Sequence, residues 1–131
     1  MQFTLKTTKR EEIIDITKQV QSIISRYSIK EGICNVFAPH TSAAVTTMEN
    51  CDERIKEDLL EALKKIAPEG QWKHDPEDGN GDSHIKAAII KPSITIPIQN
   101  NRLLLGRWQG IMFCEFDGPR DRTVIVNCLR E

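Results

Sequence analysis

Two stretches near the end of the chain restrict its possible folds more than any others. In residues 110–117, Ile111 and Phe113 alternate with Met112, Cys114 and Phe116. In residues 122–129, Val124, Val126 and Cys128 alternate with Ile125 and Leu129. A period of two is a strand period, and here both faces of each strand are apolar. Such a strand needs a layer on either side: helices, a second sheet, or another subunit. The residues between them, Asp117-Gly118-Pro119-Arg120, have the composition of a tight turn.

The preceding chain supplies candidates for those layers. Residues 2–7 alternate as an opening strand. Thr8 and Glu11 have capping-box spacing, and Ile13, Ile16, Val20, Ile23, Ile24 and Tyr27 recur at helical intervals, which predicts one amphipathic helix over 9–27. Strands are expected at 33–38 and 43–49, joined through Pro39-His40-Thr41-Ser42. Asp52 caps a second expected helix with Ile55, Leu59, Leu63 and Ile66 on one face, ended by Pro68 and Gly70. Asp82 is placed as the cap of a short helix, SHIKAAII, followed by strands at 93–98 and 102–108 with Asn100-Asn101 as a hairpin turn. Trp108 is assigned to core or interface packing. Two main helices cannot cover about six strands on every face. The expectation is an α+β fold: a two-sheet, β-sandwich-like core with the two main helices packed outside and some surface left for oligomerisation. At 131 residues the chain is read as one domain, 1–131, long enough to bury a core.

Composition excludes several function classes. The net charge of −1 gives no overall field toward nucleic acid or an anionic membrane, and no basic–aromatic interleaving is visible. No apolar run approaches the roughly 20 residues of a membrane helix, and the N-terminus, MQFTLKTTKR, lacks the apolar region of a secretion signal. The four cysteines form no CxxC pair and are read as reduced thiols, which places the protein in the cytoplasm.

Chemistry concentrates in residues 74–86, HDPEDGNGDSHIK, which hold two of the three histidines and three aspartates. Histidine and carboxylate supply metal ligands or proton-transfer groups. A polar surface loop has the same composition, so this stretch alone leaves both readings open. An EF-hand does not fit, because 78–89 lacks the glycine at the sixth position and the final glutamate.

Four longer motifs add to this: HTSAAVTTMEN (40–50), NGDSHIKAAI (80–89), IPIQNNRLLLGRWQGI (96–111) and EFDGPRDRTVIV (115–126). In these the chain resembles the secondary thiamine-phosphate synthase family, the YjbQ-like proteins. The resemblance implies a compact α+β domain, a homotrimer and a bound divalent metal. The activity it implies couples a pyrimidine diphosphate to a thiazole phosphate and releases pyrophosphate, with a different phosphorylated small molecule open as the physiological substrate.

Within that resemblance His40, His74 and His84 are the expected metal ligands. Three imidazoles with an open position suit a catalytic zinc, although imidazole also accepts nickel, copper and iron. Glu49 and Asp82 are the catalytic carboxylate candidates; Asp75 is a candidate partner for a ligating histidine, and for Asp82 a helix cap is the competing role. Ser42, Arg107 and Arg120 are expected to bind a substrate phosphate, with structural ion pairs as the alternative for the arginines. A non-catalytic trimer that binds metal or a small ligand is the second function class.

Overall fold

The computed structural model describes residues 1–131. In chain order the elements are β1 (Gln2–Lys6), β2 (Glu12–Asp15), α1 (Thr17–Arg26), β3 (Gly32–Phe37), β4 (Ala43–Glu49), α2 (Arg54–Ile66), α3 (Asp75–Asp78), α4 (Gly81–Ile90), β5 (Ser93–Gln99), β6 (Arg102–Leu103), β7 (Gln109–Glu115) and β8 (Asp121–Arg130). They form two antiparallel sheets, ordered β1-β8-β3-β5-β6 and β2-β7-β4. This is the expected α+β sandwich.

The two-faced strand β7 is the centre of the smaller sheet. Its Ile111 and Phe113 join Val36, Val45, Val124 and Val126 in the core between the sheets, into which α1 inserts Val20 and Ile24. Its Met112 and Cys114 face the other way, into a second cluster with Ile13, Leu63 of α2 and Ala87 of α4. Full burial of each large apolar side chain is worth about 1.5–3 kcal/mol, so a strand that supplies both clusters anchors both layers. β8 behaves differently. Val124 and Val126 point inward, but Leu129 is 69% exposed, and so is its cross-strand partner Ile33, at 41%. No helix of the chain covers that face.

The long helix expected over 9–27 is divided. Ile13 pairs with Cys114 as part of β2, and α1 begins only at Thr17. The Thr8 backbone N–H and hydroxyl donate to Glu12 rather than forming a capping box with Glu11, and Asp15 Oδ1 accepts from both the N–H and the hydroxyl of Thr17. The apolar spacing fits either assignment; the open edge of β7 decides it, because an unpaired central strand leaves a row of backbone groups without partners.

Other expectations also change. The strand predicted over 102–108 shrinks to the two residues of β6, and the chain then turns, with Gly106 N–H donating to Gln109 Oε1. Trp108 is 54% exposed, beside Arg107 at 5.2 Å, and not in the core. The Asn100-Asn101 hairpin is present, with φ of 53° and 62°. In α2 only Leu63 of the expected apolar face is buried; Ile66 is 61% exposed.

Asp82 does not cap α4; Asn80 occupies the position before the helix. Asp82 is fully buried instead. Arg10 donates to its two oxygens at 3.1 and 3.3 Å, and Lys86, one turn on and equally buried, donates at 2.9 Å and also reaches Glu11 at 3.1 Å. Burial pushes the Asp82 carboxyl up, but the hydrogen bonds and charges of Arg10 and Lys86 together hold it below the usual carboxylate range. A carboxylate depressed by folding stabilises the protein above its unfolded pKa of about 3.9, and that stabilisation is lost as pH falls through the folded value. Replacing Lys86 by Met removes the buried one of two cationic partners, leaving only the partly exposed Arg10, and should lower unfolding free energy by about 3 kcal/mol in urea titrations at pH 7. A loss under about 1 kcal/mol would mean that Arg10 alone satisfies Asp82.

Candidate functional site

The stretch 74–86 is mostly helical. α3 ends at Gly79, whose φ of 67° is the left-handed conformation that glycine adopts without strain, and α4 starts two residues later. Asp75 clips the two helices together: Oδ2 accepts from Trp72 N–H at 3.0 Å and Oδ1 from Gly81 N–H at 2.9 Å. A side chain at position 81 would meet Trp72 Cβ and Asp75 Oδ1 at 2.7 Å, so glycine is what lets the helix approach this closely. The Trp72 indole N–H donates to the Pro68 carbonyl at 2.6 Å. Residues 71–74 are thereby held as a wall against the start of α4.

All three histidines line one cleft of about 940 Å³, together with Trp72, Ile85 and Pro92. His40 follows β3, and its Nε2 lies 3.0 Å from the backbone nitrogen and 3.1 Å from the carbonyl oxygen of Thr123. His84, in the first turns of α4, sets Nδ1 2.9 Å from the Thr41 carbonyl. The His74 ring meets the His84 ring edge-on, centroids 4.9 Å apart. Burial lowers the His40 pKa, with Arg122 adding to the effect while the Thr123 contact and Glu115 oppose it. The three rings share the cleft but do not converge on a single point; no group of three or more His, Cys, Asp or Glu is drawn together closely enough to hold an ion.

A second, polar lobe of about 590 Å³ shares His40, Thr41 and His84 with the first and adds Asn80, Asp117, Arg120 and Arg122. Its cations are already engaged. Arg122 donates through Nε to Glu115 Oε1 at 2.9 Å, through Nη2 to Glu115 Oε2, and to Ser42 Oγ at 2.9 Å. Arg120 donates to the Asp117 carbonyl at 2.7 Å and to its carboxylate at 2.9 Å, which also accepts from Asn80.

Of the residues predicted from sequence, the fold brings His40, His74, His84, Ser42 and Arg120 to this joined cleft. Glu49 is exposed at the far end of β4, accepting from the N–H groups of Cys51 and Asp52. Seven strand residues put it roughly 20 Å from the mouth that carries His40. Asp82 faces the buried side of α4, Asp75 is the clip described above, and Arg107 lies on the exposed turn by Trp108. None of these lines either lobe. Trp72 and Lys73 do line the first; an isolated tryptophan two residues before a histidine in a polar stretch is the sequence signal that would have pointed to them.

Known proteins place this architecture. The family description "UPF0047 protein YjbQ-like" matches residues 1–131. The chain belongs to the YjbQ-like UPF0047 family. A UPF0047 protein of Archaeoglobus fulgidus is 45% identical over 98% of this chain and all of its own length, and the Bacillus subtilis YugU protein is 40% identical over 95% of each. Among solved structures, a YjbQ/UPF0047 protein of Clostridium acetobutylicum superposes with a TM-score of 0.93 at 42% identity, over 98% of this chain and 99% of its own. A protein from Aeropyrum pernix K1 gives a TM-score of 0.95 at 39% identity, over all of this chain and 98% of that one. The two-sheet α+β fold is therefore the fold of the family.

Gly81 gives a direct check on the Trp72 wall. Gly81→Ala should push Trp72 and Asp75 away from α4, at a cost of about 1–3 kcal/mol, with a shift in tryptophan emission. Unchanged emission and stability would show that the wall does not depend on that approach.

Proposed function

We propose that this protein is a metal-assisted transferase acting on small phosphorylated heterocycles in the histidine cleft. The reaction is the one implied by its resemblance to the thiamine-phosphate synthases: a thiazole phosphate nitrogen attacks the methylene carbon of a pyrimidine diphosphate. The new C–N bond forms as the C–O bond breaks, and pyrophosphate leaves with the electron pair. The observation that carries the reading is the way His40 and His84 are held. His40 is fixed through Nε2, which accepts the Thr123 N–H and lies beside its carbonyl, and His84 sets Nδ1 against the Thr41 carbonyl, leaving Nε2 for a ligand in the shared cleft. A ligating histidine usually donates its second ring N–H to a carbonyl or carboxylate in this way.

Because the three rings do not converge, a divalent cation of the zinc type would rest on His84 and His74, whose rings meet edge-on, with His40 lining the cleft beside them. Such an ion, when bound, supplies Lewis acidity toward the departing diphosphate. The protein's own groups orient the substrates. Arg120 exchanges its bond to Asp117 for the diphosphate, Ser42 is fixed at the mouth by Arg122, and the apolar wall of Trp72, Ile85 and Pro92 excludes water from the reacting carbon. Glu49, Asp82 and Arg107 have no part in this scheme, since none lines the cleft.

The prior pairing of both arginines favours a second reading, a non-catalytic trimer that holds a metal or small ligand. His84→Ala and His74→Ala separate the two. Each should lose stoichiometric zinc by elemental analysis after metal-free purification and reloading, and lose thiamine-phosphate formation with it. Loss of metal without any wild-type turnover supports the binding protein; either variant keeping its full metal overturns the metal site.

The trimer itself is supported by the uncovered outer face of the larger sheet, where the pairs Ile33–Leu129 and Phe37–Ile125 flank the Asn35–Asn127 pair. An apolar face of this kind suits a second copy of the chain. No helix is long and apolar enough to cross a membrane, and the four cysteines are free, which accords with a cytoplasmic setting. Sedimentation should give a trimer at micromolar concentration, and Leu129→Asp should dissociate it. A wild-type monomer would remove the proposal.

A further inference from the structure

We infer that the segment Gln71–His74 is the specificity strip of the cleft: Trp72 receives a flat heteroaromatic ring and Lys73 the monophosphate that the ring carries. This inference rests on the transferase reading above, and it names the residues that choose the acceptor. Lysine and arginine line the two lobes at three positions, Lys73, Arg120 and Arg122. Arg122 is saturated by Glu115 and Ser42 in a buried setting, so a phosphate would have to displace a carboxylate that has no other route to solvent. Arg120 is bound to Asp117 at two points, and the bond it can release is taken by the diphosphate. Lys73 lines the apolar lobe and makes no ion pair and no side-chain hydrogen bond. Its charge is available to an anion without the loss of any existing contact.

Trp72 supports the same assignment. Its single polar group, the indole N–H, is spent on the Pro68 carbonyl, and its backbone is clipped by Asp75. What remains for a ligand is apolar ring surface, held still and continuous with Ile85, Ala88 and Pro92. Aromatic surface of this sort favours a planar ring over a sugar or a flexible chain. Lys73 is the next residue and His74 the one after, so ring contact, anion contact and one member of the histidine pair lie within three consecutive positions. A substrate with a heteroaromatic ring and one phosphate on a short arm fits that sequence of contacts.

The chain has two tryptophans, and Trp108 lies on an exposed turn outside the cleft, so Trp108→Phe leaves Trp72 as the sole reporter. In that background, thiamine phosphate and unphosphorylated thiamine are titrated against tryptophan emission. Both should quench Trp72. Lys73→Gln should weaken thiamine phosphate about five- to tenfold while moving thiamine less than twofold, the size expected of one charge-assisted contact at a half-open site. Trp72→Leu, assayed by calorimetry, should weaken both ligands alike. The inference is overturned if Lys73→Gln leaves the two affinities unchanged, or if Arg120→Gln takes the phosphate-specific loss instead. Turnover that persists with neither quenching nor dependence on Lys73 removes the strip but keeps the transferase; Lys73-dependent binding with no turnover removes the transferase and keeps the strip.

Discussion

A carboxylate and a guanidinium, both buried, meet where the two sheets come together. Glu115 closes β7 in the smaller sheet and Arg122 lies near the start of β8 in the larger one. Removing two charges from water costs several kcal/mol per ion unless their remaining hydrogen-bonding positions are filled. Here they are. Glu115 accepts from Thr7 Oγ at 2.7 Å, from the Asp117 N–H at 3.2 Å and from Arg122, and Arg122 continues to Ser42. The pair therefore bonds β7, β8, the exit of β1 and the approach to β4 at a single corner, and neither charge can be lost without stranding the other.

The candidate site is built outward from that corner. Thr123, whose backbone holds the His40 ring, is the residue after Arg122; Thr41, whose carbonyl holds His84, is the residue before Ser42. One ionic knot thus sets the two backbone points from which two histidines are aimed. A second network fixes the helix that carries His84. Asp82 and Lys86 are four apart, on the side of α4 turned to Arg10 and Glu11, while His84 and Ala88, also four apart, line the cleft. At 3.6 residues per turn these two pairs fall on opposite sides of the helix. The buried salt bridge holds α4 from behind, and its front face is left to chemistry.

This explains which features were legible in the sequence. The two-faced apolar pattern of β7 predicted a layer on each side, because burial on both faces has no other solution. The Asn100-Asn101 hairpin and the 117–120 turn followed from local backbone preferences. The grouping of His40, His74 and His84 at one cleft came from motifs rather than from spacing. The failures have physical causes as well. Ile13 and Ile16 satisfy a helical period and also a strand followed by a helix start, and the choice is made by β7, about 100 residues away in sequence, which local periodicity cannot register. Leu103, Leu104 and Leu105 resemble a strand, and Leu104 N–H still reaches the Pro97 carbonyl of β5, but Pro97 has no N–H to return the bond and the chain turns at Leu105, whose N–H bonds the Leu103 carbonyl. By chemistry and position alone, Asp82 and Glu49 resemble catalytic carboxylates. Their actual partners, Arg10 with Lys86 in one case and two backbone N–H groups in the other, depend on tertiary placement.

The parts of the cleft differ in how firmly they are attached, and the difference has a functional meaning. His40 and His84 are tied to strand-linked backbone next to a buried ion pair, so their positions are inherited from the fold. The wall opposite, residues 71–79, meets the rest of the molecule mainly through Asp75, the Pro68 carbonyl and the close approach of Gly81. It contributes no residue to either hydrophobic cluster. Changes on its exposed side, at Lys73 or Glu77, therefore carry little cost in stability, whereas changes at Ser42, Glu115 or Arg122 disturb both sheets. A scaffold arranged in this way holds His40 and His84 by the fold itself, while His74 and the ring surface of Trp72 depend on the few contacts that tie the wall to α4.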